Sequence, residues 1–112
     1  MSRSYSLEFI NETNASTSDR TGVKFAKACL KANLPAIYVA SVMNVSRMTI
    51  YSWFRGKPLR DKNEEVVKLL INIIENDLVN GILPAKGLSE AKQYLEELAG
   101  KTIEDSSVTE EL

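Results

Sequence analysis

Apolar residues recur at three- and four-residue spacing along most of the chain, and polar breaks divide them into five helical segments. The first runs over 21–33. At about 100° per residue, Phe25, Ala26, Cys29 and Leu30 fall on one side and Lys24, Lys27 and Lys31 on the other. Asp19 or Ser18 stands where a cap for this helix is needed. Pro35 suits the first turn of a second helix over 35–43, because it has no amide hydrogen to satisfy there. Asn44, Val45 and Ser46 then make a break: asparagine enters the left-handed region readily, and serine is a good N-cap. The third helix, over 47–55, stops at Gly56 with Pro58 just beyond.

A fourth helix is expected over 61–80, opened by Asp61 with Glu64 in a capping-box position and closed at Gly81. Its residues Val66, Val67, Leu69, Leu70, Ile71, Ile73, Ile74 and Leu78 cover an arc of roughly 200°, twice the stripe an amphipathic helix needs. That width predicts two covered sides, one on its own domain and one on a partner. Asp77 interrupts the arc, a sign of fraying or of a salt bridge to that partner. A last helix, over 88–99, ends at Gly100 and carries a short heptad-like seam of Leu88, Ala91, Leu95 and Leu98. The seam is expected to pack on the fourth helix or on a second copy.

The two ends read differently. Residues 1–18 are rich in Ser, Thr and Asn and predict a flexible arm, although "YSLEF" alternates as a short strand or docking segment would. Residues 101–112 carry Glu104, Asp105, Glu110 and Glu111 with little to bury, and predict an acidic disordered tail. The expected organisation is therefore all-α. A domain over 19–80 follows the arm, and 81–100 forms a C-terminal helix and candidate oligomerisation element ahead of the tail.

Composition removes whole classes of chemistry. The chain has 112 residues, no histidine and one cysteine, Cys29. Histidine-based triads and the usual zinc sites cannot be built, and no phosphate-cradling glycine loop or nucleophile elbow occurs. We expect no enzyme, no metal, no cofactor and no small-molecule ligand. No apolar run approaches the roughly 20 residues of a membrane span, and the N-terminus lacks the apolar stretch of a secretory signal. A cytoplasmic location is the expectation. Cys29 reads as a small buried apolar residue.

The net charge of −1 conceals a division along the chain. Residues 20–60 hold eight basic residues and no acid, whereas 61–112 hold five lysines against twelve acids. The field of one face matters more to a charged partner than the total, so a nucleic acid stays open despite a pI near 5.5.

Within the acid-free stretch, Ile50, Trp53 and Phe54 share one side of the third helix and face a core. Met48, Ser52 and Arg55 lie opposite, with Tyr51 at the edge and Arg47 in the first turn. Two short helices joined by a tight turn, the second presented outward, form a helix-turn-helix. The segment "AIYVASVMNVSRMTIYSWFRGKP" resembles the Cro/repressor-type (XRE-like) helix-turn-helix, whose members often read "…LA…GVS…TIS.WERGK.P". The resemblance covers roughly residues 21 to 75. Ala40 stands at the family's small crossing residue, Asn44 at its turn glycine, and Val45, Ile50 and Trp53 at core positions. Ala36 replaces a common phosphate-binding glutamine, and Phe54 a common acid.

The resemblance implies a compact five-helix domain that binds double-stranded DNA with its third helix in the major groove. Arg47, Met48, Tyr51 and Ser52 would then read bases, Arg47 as a bidentate donor to guanine and Met48 against a thymine methyl. Lys24, Lys27, Lys31, Thr49, Arg55, Lys57 and Arg60 would hold phosphates. The leading expectation is a homodimeric transcriptional regulator, paired through residues 66–98. A small DNA-recognition subunit of a viral packaging machine, assembled as a ring, is the alternative. So is a helix-turn-helix fold turned to protein–protein contacts.

Overall fold

The computed structural model describes the backbone of residues 5–110 and the side chains of residues 5–100. Among the described residues the chain forms six helices and no strand: α1 (Leu7–Ala15), α2 (Thr21–Ala32), α3 (Ala36–Met43), α4 (Arg47–Phe54), α5 (Asp61–Val79) and α6 (Leu88–Glu110). None of them is long and apolar enough to cross a membrane. α2 is the central element and packs against α1, α4 and α5, while α3 lies between α4 and α6. Phe25, Cys29, Leu34, Val39, Ile50, Val67, Leu70 and Ile74 are fully buried and interlock α2 to α5.

Asparagine closes two of the helices. Asn33 and Asn44 both sit in the left-handed region, with φ of 58° and 55°. In each case the amide of the next residue reaches back across the last turn, Leu34 to the Cys29 carbonyl and Val45 to that of Ala40. The Asn33 side-chain amide also donates to the Ala85 carbonyl at 2.8 Å, and the Ala85 amide returns a bond to Ala32 at 2.9 Å. The connection between α5 and α6 is thereby fastened to the end of α2.

The sixth helix, α1, corrects the reading of the described part of the expected flexible arm, whose residues 1–4 lie outside the described residues, and raises the helix count above five. Phe9 and Thr13 lie one turn apart on one face of α1, Tyr5 stands just ahead of its Ser6 N-cap, and all three are buried. The Tyr5 hydroxyl donates to the Leu34 carbonyl at 2.6 Å, and Lys27 Nζ donates to the Ser16 carbonyl at 2.6 Å. Two large aromatic rings give this polar segment enough apolar area to dock. The alternation in "YSLEF" misleads because Leu7, which a strand would place beside Tyr5 and Phe9, is 57% exposed.

Other details differ as well. Neither Ser18 nor Asp19 caps α2; its N-cap is Arg20, with no side-chain bond. Glu64 forms no capping box: the N-cap of α5 is Arg60, with no side-chain bond, and the Glu64 carboxylate accepts from the Thr21 hydroxyl at 3.3 Å and pairs with Lys68 at 3.5 Å. Gly100 does not end the last helix, which continues through it to Glu110, so residues 101–110 of the expected disordered tail lie in α6. The seam residues Ala91, Leu95 and Leu98 are buried, and α6 lies along α3 rather than along the helix before it. Asp77 neither frays nor waits for an outside partner: it accepts from the Tyr94 hydroxyl at 2.5 Å and joins α5 to α6.

Candidate nucleic-acid interface

The exposed face of α4 begins with a capped first turn. Ser46 Oγ accepts the Thr49 amide at 3.1 Å and lies 2.9 Å from Thr49 Oγ1. Arg47 and Met48 project from this turn, and Met48 is 80% exposed despite being apolar. Behind them Ile50, Trp53 and Phe54 are buried, as the helical wheel predicts. Ala40 is buried and Val45 half-buried against the same core, so the four expected core positions pack together.

One turn on, the half-buried Ser52 donates its hydroxyl to the Met48 carbonyl at 3.1 Å. Its proton is committed inside the helix, which leaves only acceptor capacity for a partner. Thr49 is half-buried and tied to the Ser46 cap.

The far end of α4 is equally well fixed. The Lys57 amide bonds the Ser52 carbonyl at 3.1 Å and the Gly56 amide that of Trp53 at 2.9 Å. Gly56 takes a φ of 105°, a conformation for which a residue without Cβ is suited. Arg20 Nη1 donates to the Gly56 carbonyl at 3.1 Å and holds the loop that carries Lys57.

Arg47, Met48, Tyr51, Ser52 and Arg55 line one open hollow of about 650 Å3, and Ser6, the N-cap of α1, and Phe9 complete it. None of these lining side chains is acidic. Among the described residues, Arg47, Lys57 and Arg60 are exposed and make no ion pair. The Arg55 guanidinium lies 6.0 Å from the centre of the Tyr51 ring. On its other side Arg55 borders a smaller hollow that also contains Glu12.

The remaining expected phosphate ligands are more scattered. Lys24 and Lys31 are exposed on α2, but neither lines the hollow, and Lys27 is half-buried with its ammonium on Ser16. Lys57 shares a separate hollow with Arg20, Thr21 and Gly22, where Asp19 and Glu64 also stand.

Three residues of this region escape a reading of the sequence. Ser6 and Phe9 belong to a helix whose only signal is the four-residue spacing of Tyr5, Phe9 and Thr13. Arg20 appears there as one more charge in a basic stretch, without its bond to Gly56.

None of the groups with displaced pKa values lines the hollow on α4. Burial pushes the Tyr5 hydroxyl and the Cys29 thiol up, and burial together with the bond to Asp77 pushes up the Tyr94 hydroxyl. Among the described residues no group of three or more His, Cys, Asp or Glu converges to hold a metal ion. Comparison with protein-family models, with curated proteins and with solved structures yields no match for this chain.

Proposed function

We propose that the chain binds double-stranded DNA in a sequence-specific manner, with α3 and α4 acting as a Cro/repressor-type helix-turn-helix and α4 entering the major groove. The observation that carries this reading is the acid-free hollow on which Arg47, Met48, Ser52 and Arg55 converge. A surface that meets a duplex needs cationic and hydrogen-bonding groups together, and this one has them. The capped first turn supports it further, since a recognition helix reads bases from its N-terminal residues.

On this reading Arg47 donates to O6 and N7 of a guanine, and Met48 contacts a thymine methyl. Ser52 is left to accept from an exocyclic amine, because its proton stays on Met48. Arg55, Lys57 and Arg60 neutralise phosphates, with Lys24 and Lys31 reaching flanking ones. Lys27 contributes less, since its ammonium already serves Ser16.

The regulator is a homodimer in this account. A single small module buries little surface on DNA, and pairing two doubles it. Leu69 and Val79 of α5, Ile82 of the connection and Leu88 of α6 leave exposed apolar side chains, which favours a second copy over this stretch of the chain.

Fluorescence anisotropy against a random pool of labelled duplexes, over a series of salt concentrations, tests the reading. Neutralising about five phosphates gives a slope of log K on log salt near −4 to −5. Replacing Lys57 and Arg60 by glutamate should make that slope shallower and weaken binding to every duplex alike. Absence of binding at low salt would remove the DNA reading altogether.

A further inference from the structure

We propose that α1 is a positioning element of the DNA interface: Tyr5 and Phe9 grip Tyr51 and hold α4 at the angle from which Arg47 and Met48 meet base edges. The inference rests on the DNA reading above and changes the role of Tyr51 within it, from a base reader to the residue through which α1 acts.

The link between α1 and α4 is aromatic. Phe9 meets Tyr51 edge-on with ring centres 5.4 Å apart, and Tyr5 meets the same ring at 6.3 Å. Phe54, one turn of α4 further on, lies 6.0 Å from Phe9 and 6.3 Å from Tyr5. Tyr5 and Phe9 stack on each other at 5.5 Å.

The cluster is anchored beyond α4 at two points. The Tyr5 hydroxyl bonds the Leu34 carbonyl at 2.6 Å, in the connection between α2 and α3, and Phe25 of α2 meets Phe54 at 5.7 Å. One set of rings thus braces α4 against α1, against α2 and, through Leu34, against the entry to α3. Because α4 has only eight residues, little of its own length resists tilting.

The geometry of the hollow joins the brace to recognition. Tyr51 lines it beside Arg47, Met48 and Ser52, and Phe9 lines it from the α1 side. A small tilt of α4 would move Arg47 and Met48 relative to the bases. Base contacts need placement within about half an ångström, whereas phosphate contacts made by long lysine and arginine side chains tolerate more. Loosening the brace should therefore cost sequence discrimination before it costs general affinity. The Tyr51 ring supplies the contacts, and its hydroxyl is dispensable.

The test compares Tyr51→Phe, Tyr51→Leu and Phe9→Leu with the wild-type chain on two probes: the duplex that wild type selects from a random pool, and its scrambled counterpart. Circular dichroism sets a temperature at which each variant is folded. Tyr51→Phe should keep the wild-type ratio of selected to scrambled affinity, whatever its effect on the affinity common to both probes. Tyr51→Leu and Phe9→Leu should lose about tenfold on the selected duplex and stay within about twofold on the scrambled one. If Phe9→Leu does not fold, Tyr51→Leu examines the same contact from the other side.

Loss of discrimination by Tyr51→Phe would make the hydroxyl a reader and overturn the inference. So would full discrimination in Tyr51→Leu, or in a folded Phe9→Leu. Failure of the wild type to prefer any duplex would instead remove the DNA reading itself, a result that these variants do not produce.

Discussion

Gly22 of α2 lies against the backbone of Trp53 in α4 so closely that a β-carbon on it would stand 2.0 Å from the Trp53 carbonyl oxygen. The obstacle is backbone and cannot rotate away, and the same carbonyl accepts the Gly56 amide that closes α4. Gly22→Ala must push the two helices apart, and we expect it to cost about 3 kcal/mol or more, at the upper end for overpacking. Urea denaturation measures this. Gly100→Ala makes the contrast, because nothing lies within 4 Å of its added carbon and the residue sits inside α6. There the exchange should stabilise the helix by up to about 1 kcal/mol.

The turn between α3 and α4 makes a second prediction. Asn44 holds a φ of 55°, where glycine is free of strain and alanine is not. Asn44→Gly should leave stability unchanged or raise it slightly, and Asn44→Ala should lower it by about 1 kcal/mol. Thermal unfolding of the pair decides the sign. A more stable alanine variant would mean that the left-handed residue is not needed at this turn.

Alkaline pH should unfold the protein. The ordinary pKa values are 9.0 for Cys29 and 10.0 for Tyr5 and Tyr94, and all three are raised in the folded chain. Above about pH 9 the unfolded chain therefore releases protons that the folded chain keeps. Their contribution to stability is complete below that pH and declines as pH rises. The urea midpoint should accordingly fall between about pH 8 and pH 10.5, and less steeply in Tyr5→Phe, which removes one of the groups. A flat profile would contradict the burial of these side chains.

Four helices, α2 to α5, are legible in the sequence because punctuation and periodicity agree, and α6 only over its first half, since Gly100 does not stop it. Pro35, then Asn44 and Ser46, then Gly56 and Pro58 mark boundaries within a residue or so of those observed. α1 is not legible, since its docking depends on two aromatic residues in a polar setting and on the Leu34 carbonyl, which lies 29 positions away in the chain. Its pattern also fits a strand until Leu7 is seen to point outward.

The face of α4 turned from the core follows from the wheel: Arg47 and Met48 are exposed there and Ser52 is half-buried. What the wheel does not carry is tertiary. Lys27 looks like its neighbours Lys24 and Lys31 but spends its charge on Ser16. Tyr51 looks like a free edge residue but touches Tyr5, Phe9 and Phe54. Gly22, which lies close against the Trp53 backbone, carries no sequence signal beyond being a glycine in a first turn.

The measurement that most directly tests the account is the discrimination ratio of Arg47→Ala, the affinity for the selected duplex over that for its scrambled form, read by anisotropy at fixed salt. Losing a bidentate contact to guanine should lower that ratio by about 5- to 150-fold, while binding to the scrambled duplex changes by no more than about the single charge removed. A ratio equal to that of wild type would show that the exposed face of α4 does not read DNA.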